Sequence, residues 1–432
     1  MITVVLDDDP TGTQAMRDVT VVLDWSDPAV WEAVQASDRA VHVLTNSRAH
    51  SGDEAGALVS SAAAAARSQH PDARLVLRGD STLRAHLWEE YEALRAVAFG
   101  DREDVPLLLV PALPAAGRVT VGGVHLLERD GRRVPLDQTE YARDGELAYS
   151  DAKLARWAEE RSGGRLAADD AIALSLARLR GPTGAAELAA AIGTAARLGR
   201  PAAVIPDAET SVDLAVIARG LCAAEQAGTS VIVRCAPAFA AVLTESGAHE
   251  LVAPPDGGRG VLVVCGSFVP ATTAQLERLA RGHPEAIVSA RVRELAGDAR
   301  DDEIERLCDA ARGHIVSGGL AVVATERERD PTLVDPAAQR RIALALAEVA
   351  RRVSAGVVVA KGGITSAVTA RDGLGARAAR VIGPIATGVA LWRLPTGIDY
   401  VVFPGNVGGP DLLAEVVAAI APQRPAGRAA RC

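Results

Sequence analysis

Short apolar, β-branched runs alternate with longer stretches of helical period from one end of this 432-residue chain to the other. That alternation allows little besides parallel strands joined by crossover helices. The expected fold is α/β, as two α/β domains with mainly parallel sheets. Strands are expected at 2–6, 40–44, 75–77, 107–110, 202–205 and 230–233, and helices at 53–68, 83–98, 186–198 and 212–227. Between Gly117 and Arg143 the pattern breaks into Gly, Arg and Asp turns that suit a hairpin excursion. Residues 252–260 have the Pro/Gly composition of a linker, which places one domain at 1–253 and a second at 254–432. After the linker come three units of one design, a strand running into a glycine turn and then a helix, with strands at 261–265, 357–360 and 400–403.

Composition removes several classes of function. Hydrophobic residues make up 49% and charged residues 23%, the balance of a chain that buries a core rather than staying disordered. Acidic residues number 55 against 46 basic ones, with no Lys/Arg cluster, so a nucleic-acid partner is not expected. The five cysteines, Cys222, Cys235, Cys265, Cys308 and Cys432, are scattered and lack C-x-x-C spacing, which argues against zinc and a disulfide framework and for a reducing, cytoplasmic compartment. Met1 leads directly into a strand, no apolar run reaches the roughly 18 residues of a membrane helix, and 424–432 reads as a frayed tail. Among 46 basic residues only Lys153 and Lys361 are lysine, so each stands out against a background of arginine.

Ligands of open α/β sheets bind outside the carboxyl ends of the strands, where loops converge and helix N-termini offer free N–H groups. The first strand delivers Asp7-Asp8-Asp9-Pro10-Thr11-Gly12-Thr13-Gln14, the second Thr45-Asn46-Ser47-Arg48, the third Arg78-Gly79-Asp80-Ser81-Thr82-Leu83-Arg84. A carboxylate there can take a hydroxyl proton, and an arginine fork suits a substrate carboxylate or phosphate. Capping and turn chemistry is the alternative use of Asp7–Asp9, and of Asp80-Ser81 before a helix starting near Leu83. In the second half, Gly266-Ser267, Lys361-Gly362-Gly363 and Gly405-Asn406-Val407-Gly408-Gly409 suit a nucleotide, because glycine lets backbone approach phosphate. Lys361 strengthens the middle turn as a phosphate contact; its bland alternative is a surface lysine. No P-loop, G-x-S-x-G or H-E-x-x-H motif occurs, and Gly373-Leu374-Gly375-Ala376-Arg377-Ala378 follows a helical stretch, unlike a dinucleotide fingerprint. His86 reads as a helix residue rather than a ligand.

These stretches, taken together and in order, resemble the four-carbon acid sugar kinase family over nearly the whole chain. Asp8-Asp9-Pro10-Thr11-Gly12-Thr13, Ser47-Arg48 and Asp80-Ser81-Thr82-Leu83-Arg84-Ala85 are similar to its N-terminal signatures, and so are 111–118 and 206–210. Gly266-Ser267, Gly362-Gly363-Ile364-Thr365-Ser366, Gly383-Pro384 and 405–409 resemble its nucleotide-binding stretches. The resemblance implies a Mg²⁺- and ATP-dependent kinase that phosphorylates a hydroxyl of a threonate- or erythronate-like acid, in a cleft between the domains. Asp8 or Asp9 would be the base or orienter. Asp8, Arg48, Asp80, Ser81, Thr82, Leu83 and Arg84 would bind the acid, with Arg48 and Arg84 as carboxylate clamps. Ser267, Lys361, Gly362, Gly363, Ile364, Thr365, Gly405, Asn406 and Gly408 would bind ATP; the metal ligands are not assigned. Ile364 stands where many members carry an acidic residue, and Ala85 and Thr13 replace a glycine and an alanine. The acid and ATP would be the partners, with no membrane or nucleic acid, and a homo-oligomer is compatible. A sugar-acid sensor without catalysis and a nicotinamide-dependent sugar acid dehydrogenase stay open as alternatives.

Overall fold

The computed structural model describes residues 2–34, 40–129, 131–248, 250–328 and 336–421; the expected tail at 424–432, with Cys432, lies outside them. The chain is mixed α/β and divides into two compact units, one of residues up to 15 with 19–247, the other of 16–18 with 248 onward. The early visit to the second unit is held by the Asp18 N–H, which donates to Val381 O at 2.9 Å.

In the first unit, β1 (Thr3–Asp7), β2 (Val19–Val22), β3 (Ala40–Leu44), β4 (Arg74–Arg78), β5 (Leu107–Val110), β9 (Ile172–Leu174), β10 (Ala203–Pro206) and β11 (Ile232–Cys235) form a parallel sheet. Their order is β2-β3-β1-β4-β11-β5-β10-β9. β1, β3 and β5 are buried at every residue, as continuous apolar runs are when helices cover both faces of a parallel sheet. The excursion after β5 is an antiparallel meander, β6 (Arg118–Val121), β7 (Val124–Arg129) and β8 (Arg132–Pro135). Asp207 clamps its first turn by accepting from the Gly122 and Gly123 N–H groups at 2.8 and 2.9 Å. Helix Gly52–Gln69 opens with a capping box of Ser51 and Glu54, and Ser211–Gln226 with one of Thr210 and Asp213.

One expected boundary is corrected. The helix after β4 is Leu87–Phe99, not 83–98, because Leu83 takes the left-handed conformation at φ +68°. His86 therefore precedes this helix rather than lying in it, and Asp80-Ser81 do not cap it.

In the second unit, β12 (Val261–Cys265), β13 (Ile287–Ala290), β14 (Leu320–Thr325), β15 (Val357–Lys361), β16 (Ala378–Ala386), β17 (Val389–Arg393) and β18 (Asp399–Phe403) run in the order β13-β14-β12-β15-β18-β17-β16. The first five in that order pair in parallel, and β17 and β16 are antiparallel additions at one side. One core joins Val261, Val263, Val359 and Val401 to Leu276 of helix Pro270–Gly282 and Val417 of helix Leu412–Ile420. The 373–378 stretch follows the helical residues Gly363–Gly373 and enters β16, the reverse of a strand-to-helix phosphate turn. Among the described residues no helix is long and apolar enough to cross a membrane.

Candidate functional site

β3, β1 and β4 are parallel neighbours in register, with Asp7 opposite both Leu44 and Arg78, so their carboxyl ends finish level. The three polar loops therefore meet. Arg78, the last residue of β4, is buried and uses one nitrogen three ways: Nη1 donates to Asp7 Oδ1 at 2.7 Å, Asp8 Oδ1 at 3.1 Å and Asp9 O at 3.0 Å. Asp7 is completed by His42 Nδ1 at 3.1 Å. A Cβ on Gly12 would lie 2.1 Å from Asp7 Oδ2, so only glycine lets the loop fold back this closely.

Arg48 projects into the same group of carboxylates. It forms an ion pair with Asp9 and stands 3.8 Å from Asp8 Oδ2 and 3.7 Å from Asp80 Oδ1. Asp9 also caps the short helical turn Pro10–Thr13, accepting the Thr11 N–H at 2.8 Å, so capping and charge pairing coexist in one side chain. Asp80 accepts from Thr82 Oγ1 and, at 2.7 Å, from Arg84 Nε. Arg84 Nη1 reaches Asp144 at 2.8 Å, and its guanidinium lies 5.7 Å from the Tyr141 ring centroid.

Three aspartates in one cluster end in different states. Burial pushes the Asp8 carboxyl up to about 7, against the pull of Arg48 and Arg78. Burial acts on Asp9 and Asp80 too, but there it is outweighed. Arg48, Arg78 and the Thr11 donors hold Asp9 below the usual range, and Arg84, Arg48 and Thr82 hold Asp80 far below it. Asp8 Oδ2, though buried, has no hydrogen-bond donor from the protein.

Support comes from residues that the sequence reading did not single out. Ser47 Oγ donates to Glu90, which is ion-paired to Arg234, so helix Leu87–Phe99 and β11 together fix the Arg48 loop. A charged residue inside the buried run Ile232–Cys235 was the available signal for Arg234. His125 Nε2 lies 2.9 Å from Ser81 O; a carbonyl only accepts, so Nε2 carries the hydrogen and Nδ1 faces Thr120 Oγ1 at 3.0 Å. Burial keeps this imidazole neutral, lowering it to about 4. Tyr149 OH donates to Thr82 O at 2.9 Å. Leu83 is buried, with its N–H donated to Asp80 O at 3.2 Å.

In the second unit, Cys265 is level with Lys361 and Lys361 with Phe403, so the turns after β12, β15 and β18 also converge. Ser267 lies at their meeting point. A Cβ on Gly405 would come 2.7 Å from Ser267 Oγ, and one on Gly362, at φ +112°, 3.1 Å from Ser267 Cβ. Thr272 Oγ1 donates to Gly405 O at 2.9 Å, and Gln275 Nε2 to Val407 O and Gly409 O, both at 2.9 Å. Helix Pro270–Gly282 thus fixes the last turn, Asn406 and Gly408 included. Thr365 is buried beside Gly266, and Ile364 is exposed.

The bland alternative for Lys361, a surface lysine, is ruled out. It is wholly buried, its Nζ donates to Pro404 O at 3.0 Å, and it sits 3.9 Å from the Phe403 ring centroid. Burial lowers it to about 8. Its ammonium braces the backbone that enters the Gly405 turn.

Comparison with known proteins follows this division. Residues 3–243 match the family model described as a sugar-binding N-terminal domain, and 262–413 the nucleotide-binding C-terminal domain. Among solved structures, a Salmonella typhimurium protein described provisionally as a tRNA synthase matches at 18% identity over 96% of this chain and 98% of its own, with TM-score 0.69. A Haemophilus influenzae protein assigned to a domain-of-unknown-function family matches at 18% identity over 96% and 99%, with TM-score 0.63. At that identity both likenesses concern the fold. No curated protein matches the sequence.

Proposed function

Because the chain belongs to the four-carbon acid sugar kinase family, with a sugar-binding and a nucleotide-binding domain, we propose that it transfers the γ-phosphoryl group of ATP to a hydroxyl of a small sugar acid of the threonate or erythronate kind. The observation that carries this reading is Asp8 Oδ2, a buried carboxylate oxygen that no protein donor occupies, on a carboxyl raised to about 7. A base of that strength is half ionised near neutrality and can still hold the proton it takes.

In this reading Arg78 fixes Asp8 Oδ1, leaving Oδ2 to accept the hydroxyl of the acid, while Arg48 and Arg84 hold the acid's carboxylate. The hydroxyl proton passes to Asp8. The freed oxygen bonds the γ-phosphorus as the bond from γ-phosphorus to the β,γ-bridging oxygen breaks, and ADP leaves. The Ser267, Gly362 to Thr365 and Gly405 to Gly408 turns receive the triphosphate on their backbone N–H groups, with Lys361 bracing the last of them. Among the described residues no three His, Cys, Asp or Glu side chains gather as a metal cage. Mg²⁺ would enter on the phosphates of ATP and neutralise their charge.

A coupled ADP assay across small hydroxy acids, with Mg²⁺ present, tests the reading. Acid-stimulated ADP release is expected, with ATP and not NAD raising Tm. Tight binding of an acid without ADP release would favour the sensor, and silence across the whole panel would refute the kinase.

A further inference from the structure

Arg84 holds two carboxylates. Its Nε is held by Asp80, four residues away and largely buried, and that carboxylate is itself tied to Thr82 and Arg48. Its Nη1 is held by Asp144, which arrives on a separate segment and is 55% exposed. The two partners differ in what their departure would cost. Loss of Asp80 would strand a buried charge, whereas Asp144 can turn out into water and satisfy its carboxylate there.

The same segment keeps Arg84 in place whichever carboxylate it holds. Tyr141 lies beneath the guanidinium at 5.7 Å, and Tyr149 OH, bonded to Thr82 O at 2.9 Å, anchors the segment to the 80–84 loop. The cluster holds five carboxylates, of Asp7, Asp8, Asp9, Asp80 and Asp144, against the three guanidiniums of Arg48, Arg78 and Arg84. A further carboxylate therefore enters against repulsion unless one of these leaves, and Asp144 is the one free to go.

We propose that Asp144 is a place-holder: its carboxylate occupies the position on Arg84 that the carboxylate of the substrate takes, and it thereby sets how tightly the acid binds. The inference rests on the reading of Arg84 as a carboxylate clamp. Binding exchanges one oxygen pair for another on Nη1, and Asp144 swings into solvent.

Calorimetric titration of threonate and of erythronate into the wild-type chain, Asp144→Asn and Arg84→Gln, each checked for fold by circular dichroism, separates the cases. Asp144→Asn should tighten acid binding about two- to fivefold, the worth of one exposed ion pair. Arg84→Gln should loosen it. Unchanged or weaker binding by Asp144→Asn, with Arg84→Gln still impaired, would overturn the place-holder and make Asp144 a prop for Arg84. Wild-type binding by Arg84→Gln would instead remove the clamp reading itself, as would failure of both acids to bind the wild-type chain.

Discussion

Asp8 and Asp9 are adjacent in sequence and shifted in opposite directions, and the divergence follows from what each receives. Asp9 gains the Arg48 ion pair and the Thr11 N–H. Asp8 gains burial that outweighs a more distant Arg48, 3.8 Å from its Oδ2, and one Arg78 hydrogen bond to its Oδ1. Two carboxyls held apart in this way commonly divide acid–base work, so Asp8→Asn should lower kcat by about 10²- to 10⁴-fold with the fold intact. In the wild type, kcat should fall on the acid side of about pH 7, where Asp8 becomes protonated. Stability should respond in the other direction. The folded carboxyl keeps its proton up to about 7 while the unfolded one loses it near 3.8, so raising pH across that window costs the wild type stability. The gain in Tm of Asp8→Asn over wild type should therefore grow from pH 5 to pH 8; a gain that shrinks would mean Asp8 is stabilised as an anion. The sequence could not choose between the two aspartates, because Arg78 reaches them from another strand.

The glycine turns show what an element can dictate that its sequence hides. Gly405→Val would place carbon within 2.7 Å of Ser267 Oγ, pushing apart two of the turns proposed to receive nucleotide. ATP affinity should fall at least about tenfold by calorimetry, about 1.4 kcal/mol, and unchanged ATP affinity would move the nucleotide elsewhere. The long buried strands and most helices could be read from period and composition, since a parallel strand is one apolar run. Strands β2, β9, β13, β16 and β17, three to nine residues long, could not, because pairing with neighbours rather than pattern makes them strands; β14, a buried apolar run of six residues, went unread although its pattern was there. The late start of helix Leu87–Phe99 was hidden as well, because nothing in its apolar period foretells the left-handed Leu83. In the site, Asp8, Arg48 and Asp80 stood out by loop position, whereas Glu90 and Arg234 act from inside a helix and a strand, where a sequence shows only a misplaced charge.

At the scale of the molecule the two ligands should separate by mutation. If Arg48 clamps the acid as proposed, Arg48→Ala removes a charge-assisted contact worth about 2 kcal/mol or about thirtyfold in KM, and should leave ATP binding as it was. Gly405→Val should do the reverse. Equal loss of ATP binding in both, with circular dichroism unchanged, would show that the units do not divide the work. Residues 16–18 bear on the chain's birth at the ribosome. They leave the exit tunnel hundreds of residues before Val381, the acceptor for Asp18, so the second unit cannot close until Val381 has emerged as well, however early the first collapses. A long-delayed contact of this kind slows folding. It also means that no single protease cut releases both units complete: a fragment beginning at Ala248 is born without its first three residues.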